Sequence, residues 1–323
     1  MNIDVSVIIP VYNSSKYISE TLDSVINQDF NSFELIIVND GSVDNSLDII
    51  KNTLKDSKIY YTIINQENNG VSHARNVGIE NAKGQYVIFV DDDDIIAKNH
   101  ISCLFENANG NDGSFTEMLK ITEKGEIVGD QELYLSIDGK NRISSKDLIK
   151  LELTMNIPFS FCQIMYKKEL ITEKFNENAI YGEDTEFVLK NLINANVLGI
   201  CPKPTYFYRQ RENSATGKAD FKRFEIVDIF ENLARYYEKN NLNDLAELII
   251  TNRIPKAIFG NLMYFFYHDY EFNQLMNVMK QLDLLIKLKN FKGESKFRFK
   301  IKLFLLNPKL YYRAWKTFKD GIE

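Results

Sequence analysis

The sequence predicts an α/β fold: a mostly parallel central sheet with helices on both faces, followed by a C-terminal helical region. Three observations predict it. Short, unbroken, β-branched apolar runs alternate with amphipathic segments through the first hundred residues, the pattern of doubly buried parallel strands and their crossover helices. Polar residues collect just after those runs. From about residue 220 the apolar spacing settles into a 3.6-residue period.

Each element follows from its own residues. VSVIIP (5–10) is short and continuous, as a buried strand should be. Ser14 or Ser15 is placed to cap a helix in which Ile18, Leu22 and Val25 share a face. FELIIVND (33–40) is a second strand, and a helix through Leu47, Ile50 and Leu54 follows. YYTIIN (60–65) is a third strand. Ser72 is a candidate cap for the next helix and Gly84 a stop after it. YVIFV (86–90) is the fourth strand. Residues 110–160 are less regular. Apolar segments return over 160–215, and Ile226, Ile229, Phe230 and Leu233 begin the helical part.

In such sheets ligands bind outside the carboxyl ends of the strands. There the first strand presents Pro10, Tyr12 and Asn13, the second Asn39, Asp40, Gly41 and Ser42, and the fourth Asp91 to Asp94. Four consecutive acids repel one another, so packing alone does not call for them. One or two would read as a solvated turn or a helix cap. Four at the ligand end of the sheet favour a site for Mg²⁺ or Mn²⁺, held by one or two carboxylates and substrate phosphates. If strand geometry persists, Asp91 and Asp93 face the crevice and Asp92 points elsewhere. No GxGxxG follows the first strand and no GxxxxGK[ST] occurs, so neither a dinucleotide site nor a P-loop is supported.

Composition sets bounds. The 323 residues are 44% hydrophobic, enough for a sizeable core, and the net charge of −6 argues against general nucleic-acid binding. Cys103, Cys162 and Cys201 form no CxxC pair, so a disulfide framework or zinc site is not expected. MNIDVSVIIPVYN has no basic leader, and no apolar run approaches the ~18 residues that span a bilayer. The expectation is a cytoplasmic protein, or one peripheral to the inner face of the cell membrane.

VSVIIPVYNSSKYISETLDSVINQDFNSFELIIVNDGSVDNS resembles the opening of family 2 glycosyltransferases of the GT-A fold. The resemblance continues through NQENNGVSHARNVGIENAKGQYVIFVDDDD, where that family has its D-x-D motif, and on to YGEDTEF, over about the first 210 residues. It implies roles residue by residue. Pro10, Tyr12 and Asp40 match residues that hold the nucleotide base, and an Asp facing a uracil nitrogen fits UDP. Arg75 matches a residue near base and phosphates, Asp91 the acid near the ribose, and Asp93 the metal ligand. Asp92 takes the variable middle position on the nucleotide side, where simple exposure is an equal reading. Asp184 matches the catalytic base, with Glu183 as its donor- or acceptor-contacting partner. Acids in the first turn of a helix over 184–193 would also suit the helix dipole.

In YFYRQRENSATGK, Arg209, Arg211 and Ser214 can meet the diphosphate or the acceptor side. Some relatives place a metal-binding histidine near here; this chain has none there, and Arg211 can replace its charge. His73 reads as structural. PFSFCQIMYKKEL departs from the family pattern on the acceptor side, and Cys162 within it reads as a packed small hydrophobe.

The domain expectation is a GT-A domain over 1–215, with a nucleotide-binding half (1–95) and an acceptor-side half (96–215), and a helical region over 216–323. The implied reaction is inverting transfer from a nucleotide sugar, UDP-sugar favoured, to a hydroxyl of a surface polysaccharide, lipid-linked glycan or glycoprotein. An inactive nucleotide-binding partner of another transferase is the alternative, and the two intact acidic motifs count against it. A homo-oligomer is compatible with either. Residues 287–323 carry eleven bases against three acids, a net +8 that leaves −14 for the rest. Pro308 starts a helix in which Tyr311, Trp315 and Phe318 share a face, opposite Lys309, Arg313 and Lys316. That face suits either an anionic membrane or packing on the protein itself.

Overall fold

The computed structural model describes residues 3–129, 141–155, 159–211 and 220–320. The chain forms two compact units. One comprises Met1–Leu148, Phe159–Asn178 and Glu183–Ser214; the other comprises Ile149–Pro158, Ala179–Gly182 and Ala215–Glu323.

The first unit opens with β1 (Val5–Val11), α1 (Ile18–Ile26), β2 (Phe33–Asp40), α2 (Ser46–Leu54), β3 (Tyr60–Gln66), α3 (Val71–Asn81) and β4 (Tyr86–Phe89), the alternation that the sequence predicts. Then come β5 (Ile95–Ile96), α4 (His100–Ala108), β6 (Gly113–Phe115), β7 (Met118–Ile121) and β8 (Arg142–Ser144). After α5 (Ser145–Met155), whose residues from Ile149 count with the second unit, the first unit resumes with β9 (Ile164–Lys167), α6 (Glu183–Leu192), β10 (Val197–Ile200) and β11 (Tyr206–Arg209).

Among the described residues the main sheet runs β3-β2-β1-β4-β9-β6-β10-β8. The pairs from β3 to β4 are parallel, as is β6 with β10. β9 and β8 run against their neighbours. β1 and β2 are buried along their whole length, which is why they read as mostly apolar runs; of the polar residues within them, Ser6 and Glu34 meet each other at 2.7 Å. β3 is an edge strand and half exposed, which explains its tyrosines and amides. Pro10 fits inside β1 for a positional reason. Ile8 O accepts Val90 N on the β4 side, and Pro10 faces that same side two residues on, where β4 has ended and no N–H is wanted. α3 lies close on β1 because Gly78 has no side chain: a Cβ there would sit 2.3 Å from Ile8 Cγ2. A second sheet, β5-β11-β7, sets Tyr206–Arg209 beside the segment that follows the four aspartates.

Behind the strand ends lies an aromatic core. Phe175 and Phe187 stack at 3.8 Å, and Phe89 meets Phe161, Phe175 and Phe187 edge-on. Such edge-to-face pairs add about 0.5–1.5 kcal/mol each beyond their buried area.

The second unit is helical: α7 (Glu225–Lys239), α8 (Asn243–Leu248), α9 (Ile254–Tyr267), α10 (Phe272–Gln281), α11 (Leu284–Lys289), α12 (Ser295–Leu306) and α13 (Pro308–Asp320). Of the four residues whose spacing marks the helical part, Ile229, Phe230 and Leu233 of α7 are buried, while Ile226 is half-buried and Val227 is buried beside it. A π-helical turn, Ile249–Arg253, joins α8 to α9 and turns Arg253 inward. There Arg253 meets Glu152 of α5 at 3.1 Å, with 9% and 2% of the two side chains exposed, and lies 4.7 Å from the Phe230 ring. Removing one partner takes this ion pair away and leaves the other charge buried. Glu152→Ala is expected to cost roughly 3–5 kcal/mol in urea denaturation of the full chain, with Glu152→Met/Arg253→Met recovering most of it. A cost below about 1 kcal/mol would mean that Arg253 finds water on losing its partner.

α13 begins at Pro308 as expected, but its aromatic face is not free. Tyr311 packs edge-on to Phe259 and Phe304, and Trp315 lies 5.7 Å from Phe266, so packing within this unit takes those two rings. Phe318 is 69% exposed. No helix among the described residues is long and apolar enough to cross a membrane.

Candidate active site

The loops after β1 and β2 are sewn together. Asn13, at φ 51°, donates its N–H to Ser42 Oγ (3.0 Å) and accepts from Val43 N (2.9 Å). Ser14 N donates to Ser46 Oγ and Ser15 N to Asp44 Oδ2. Burial opposes ionisation of Asp44, but hydrogen bonds from Ser46 and Ser15 outweigh it and lower its pKa to about 2. The serines therefore do not cap α1 with their side chains. Tyr17 occupies the N-cap, and Ser14 Oγ instead donates to the carbonyl of Asp92.

Pro10 is buried in β1, whereas Tyr12, just past the strand, is 51% exposed. Asp40 is 2% exposed, and its carboxylate accepts from Gln66 Nε2 (2.7 Å), Asn69 N (2.9 Å) and Gly70 N (2.9 Å). It thus anchors the turn that launches α3. Gly70, at φ 91°, takes the N-cap position expected of Ser72, which lies inside the first turn.

The four aspartates do not continue the strand. β4 ends at Phe89, and Asp94 N donates to Asp91 O (3.2 Å), closing a turn. The alternation expected of Asp91 to Asp93 gives way to four separate environments. Asp91 meets Arg75 Nη2 at 3.0 Å. Asp92 accepts from Tyr12 N, and its carbonyl holds Ser14 and Thr21. Asp93 meets Arg211 Nε at 2.6 Å. Asp94 accepts from the Tyr206 hydroxyl (2.7 Å) and Arg209 N (2.8 Å), so it neither caps a helix nor faces the crevice; a strand, not a helix, follows.

Burial, then the charge of Asp93, raises Asp92 to about 7; burial, then Asp91, raises Asp93 to about 6. Burial and the neighbouring acids push Asp94 well above the carboxylate range. The crowded acids hold one another's ionisation back, a repulsion that a further cation would relieve. The donors are hard oxygens, as Mg²⁺ and Mn²⁺ prefer. Among the described residues no three His, Cys, Asp or Glu converge on one point, so the fit is to a site with one or two protein carboxylates completed by substrate and water.

Arg209 is 2% exposed, and each of its nitrogens has a protein acceptor: Asp93 O, Glu123 O and Glu20 Oε2, at 2.6–2.7 Å. It braces the aspartate turn in place of the diphosphate contact expected of it. Arg211 is half-exposed and lies 5.8 Å from the Tyr17 ring. Ser214 lies outside the described residues.

Glu183 and Asp184 open α6. Asp184 Oδ1 accepts from Thr185 N at 2.6 Å. Glu183 Oε1 lies 3.7 Å from Arg75 Nη1. Burial, then the Asp184 charge, raises Glu183 to about 7 against the pull of Arg75. Arg75 is the joint between the two acidic motifs. Its guanidinium carbon sits 4.1 Å from the Phe161 ring and 5.3 Å from Phe175, so the aromatic core fixes its plane while its edge reaches Asp91 and Glu183. Sequence reasoning missed this bridge and the Tyr206 brace; the alternation YFYR at 206–209 was the available signal for the latter. His73 pairs with Glu177 (3.1 Å), and Cys162 is buried.

The family model of glycosyl transferase family 2 matches residues 6–173. An uncharacterized glycosyltransferase, EpsJ of Bacillus subtilis (strain 168), is 31% identical over 229 residues, 66% of this chain and 62% of EpsJ, so the chain spans less than two thirds of that relative. Glycosyltransferase GlyG of Streptococcus pneumoniae serotype 4 is 26% identical over 306 residues, 89% of this chain and 95% of GlyG. The crystal structure of S. aureus TarS 1–349 in complex with UDP-GlcNAc superposes with a TM-score of 0.73 at 21% identity, covering 99% of this chain and 92% of that one. The fold is of the GT-A type, the family model spans more than half of the sequence, and the chain belongs to glycosyltransferase family 2.

Proposed function

We propose that the protein is an inverting, metal-dependent glycosyltransferase that moves a sugar from a UDP-sugar to a hydroxyl of a surface polysaccharide, lipid-linked glycan or glycoprotein. The observation that carries this reading is the bridge from Asp91 through Arg75 to Glu183, which ties a donor-side acid to the acidic motif at the head of α6. The UDP-GlcNAc complex of TarS, a structural neighbour, supports the choice of nucleotide.

Tyr12 stacks on the base, and Asp40, with one oxygen taken by a single backbone donor, accepts from the uracil N–H. Pro10 shapes the pocket floor, Asp91 and Arg75 face the ribose and phosphates, and Asp92 holds Tyr12 in place through its N–H. Asp93 would hold Mg²⁺ or Mn²⁺, which when bound neutralises charge on the departing diphosphate. Arg211 adds positive charge on the same side. Asp184 takes the acceptor hydroxyl proton as that oxygen attacks the anomeric carbon opposite UDP; the new C–O bond forms as the bond to the diphosphate breaks.

Calorimetry with UDP tests the donor half. Binding in Mn²⁺ is expected to weaken at least about ten-fold in a chelator, about 1.4 kcal/mol. Metal-independent binding would remove Asp93 from its role. Screening UDP-sugars for UDP release in Mn²⁺ then names the donor, and no release from any of them would favour a non-catalytic nucleotide binder.

A further inference from the structure

The outward face of α12 carries an apolar stripe edged by lysines. At 100° per residue, Phe299, Leu303 and Leu306 fall within a sector of roughly 60°. They are 61%, 43% and 84% exposed, while Ile301 and Phe304 on the opposite side are buried. Lys296 and Lys300 flank the stripe on one side and Lys302 on the other, all three exposed. Four other lysines of this region have carboxylate partners, Lys287 with Glu231, Lys292 with Glu247, and Lys316 and Lys319 with Asp269, whereas among the described residues no ion pair is seen for exposed Lys289 and Lys309. Among the described residues the three lysines of the stripe have no such carboxylate.

We infer that this face of α12 docks in the plane of an anionic lipid surface. Apolar side chains enter the headgroup boundary while flanking lysines meet lipid phosphates, the arrangement by which interfacial helices bind. Charge complementarity selects this occupant over a second copy of the chain. A symmetric pair would set lysine rows against each other, and residues 287–323 supply only Glu294, Asp320 and Glu323 as acids. The surface lies on α12, not on the aromatic face of α13 that the sequence singles out, because packing within the unit takes Tyr311 and Trp315.

Co-sedimentation of the full chain with vesicles tests this. Binding to phosphatidylglycerol/phosphatidylcholine vesicles should exceed binding to phosphatidylcholine alone by at least about ten-fold and fall as salt rises. Phe299→Ser/Leu303→Ser/Leu306→Ser and Lys296→Glu/Lys300→Glu/Lys302→Glu should each lower it about ten-fold. All six positions are solvent-facing, so melting temperatures should stay at the wild-type value, separating lost docking from lost folding. Equal binding to both vesicle types, no binding, or variants that bind like wild type would overturn the inference. So would a concentration-dependent dimer, seen by light scattering, that the serine variant dissolves in the absence of lipid.

Discussion

Asp184→Asn is expected to lower kcat for sugar transfer by roughly 10²–10⁴, the span that a positioned general base contributes, while UDP affinity in Mn²⁺ holds at the wild-type value. The amide keeps the size of the carboxylate and its Oδ1, so the 2.6 Å bond from Thr185 N survives and α6 keeps its first turn. What disappears is a lone pair able to take the acceptor proton. The split between kcat and donor affinity is the informative part. A purely structural acid at a helix N-terminus, favourable to the dipole by about 0.3–1 kcal/mol, would move stability and leave turnover alone. Turnover equal to wild type would remove Asp184 from the chemistry.

The parallel half of the fold was legible because burial on both faces leaves a simple trace. β1 and β2 are predominantly apolar runs, and the structure places them at Val5–Val11 and Phe33–Asp40, within a residue of what their composition predicts. β9 was not legible as a reversed strand between β4 and β6. Four residues, IMYK, three of them buried, carry no mark of direction, and their partners lie about 80 and 50 positions away. Helix starts misled for a related reason. Ser14, Ser15 and Ser72 have the right chemistry for caps, but long-range partners won: the loops after β1 and β2 bond to each other, and a positive φ at Gly70 opens α3.

In the site, residue types were legible and partnerships were not. DDDD announces an acidic turn at the strand ends, yet strand alternation could not tell that Asp94 answers to Tyr206 and Arg209, both over 100 positions away. Arg209 and Arg211 look equivalent in YFYRQR. Only tertiary contacts separate a buried brace with three acceptors from a half-exposed cation on Asp93. The tail was legible as basic and amphipathic, but which helix keeps an open apolar stripe depended on the rings that α9 offers to α13.

Arg75→Leu should damage stability and donor binding together, in a way that depends on pH. Arg75 is deeply buried, and its loss leaves Asp91 and Glu183 without their cation. Both carboxylates keep some water, which places the cost near the low end for a broken buried pair, about 3 kcal/mol. The pH dependence follows from Glu183. Its folded pKa is raised from 4.5 to about 7, so its contribution to stability is full below 4.5 and is lost as pH rises through about 7. Arg75 is among the forces holding that value down. Without it the folded pKa climbs, the loss deepens and extends to higher pH. The stability gap between wild type and Arg75→Leu should therefore widen from pH 6 to pH 9 in urea denaturation. Arg75→Lys restores a charge but not the fork that reaches Asp91 and Glu183 at once, so it should narrow the gap without closing it. A gap constant with pH, fully closed by lysine, would mean that Arg75 matters as a stacked ring partner of Phe161 and a lone charge, and that the two acidic motifs are not coupled through it.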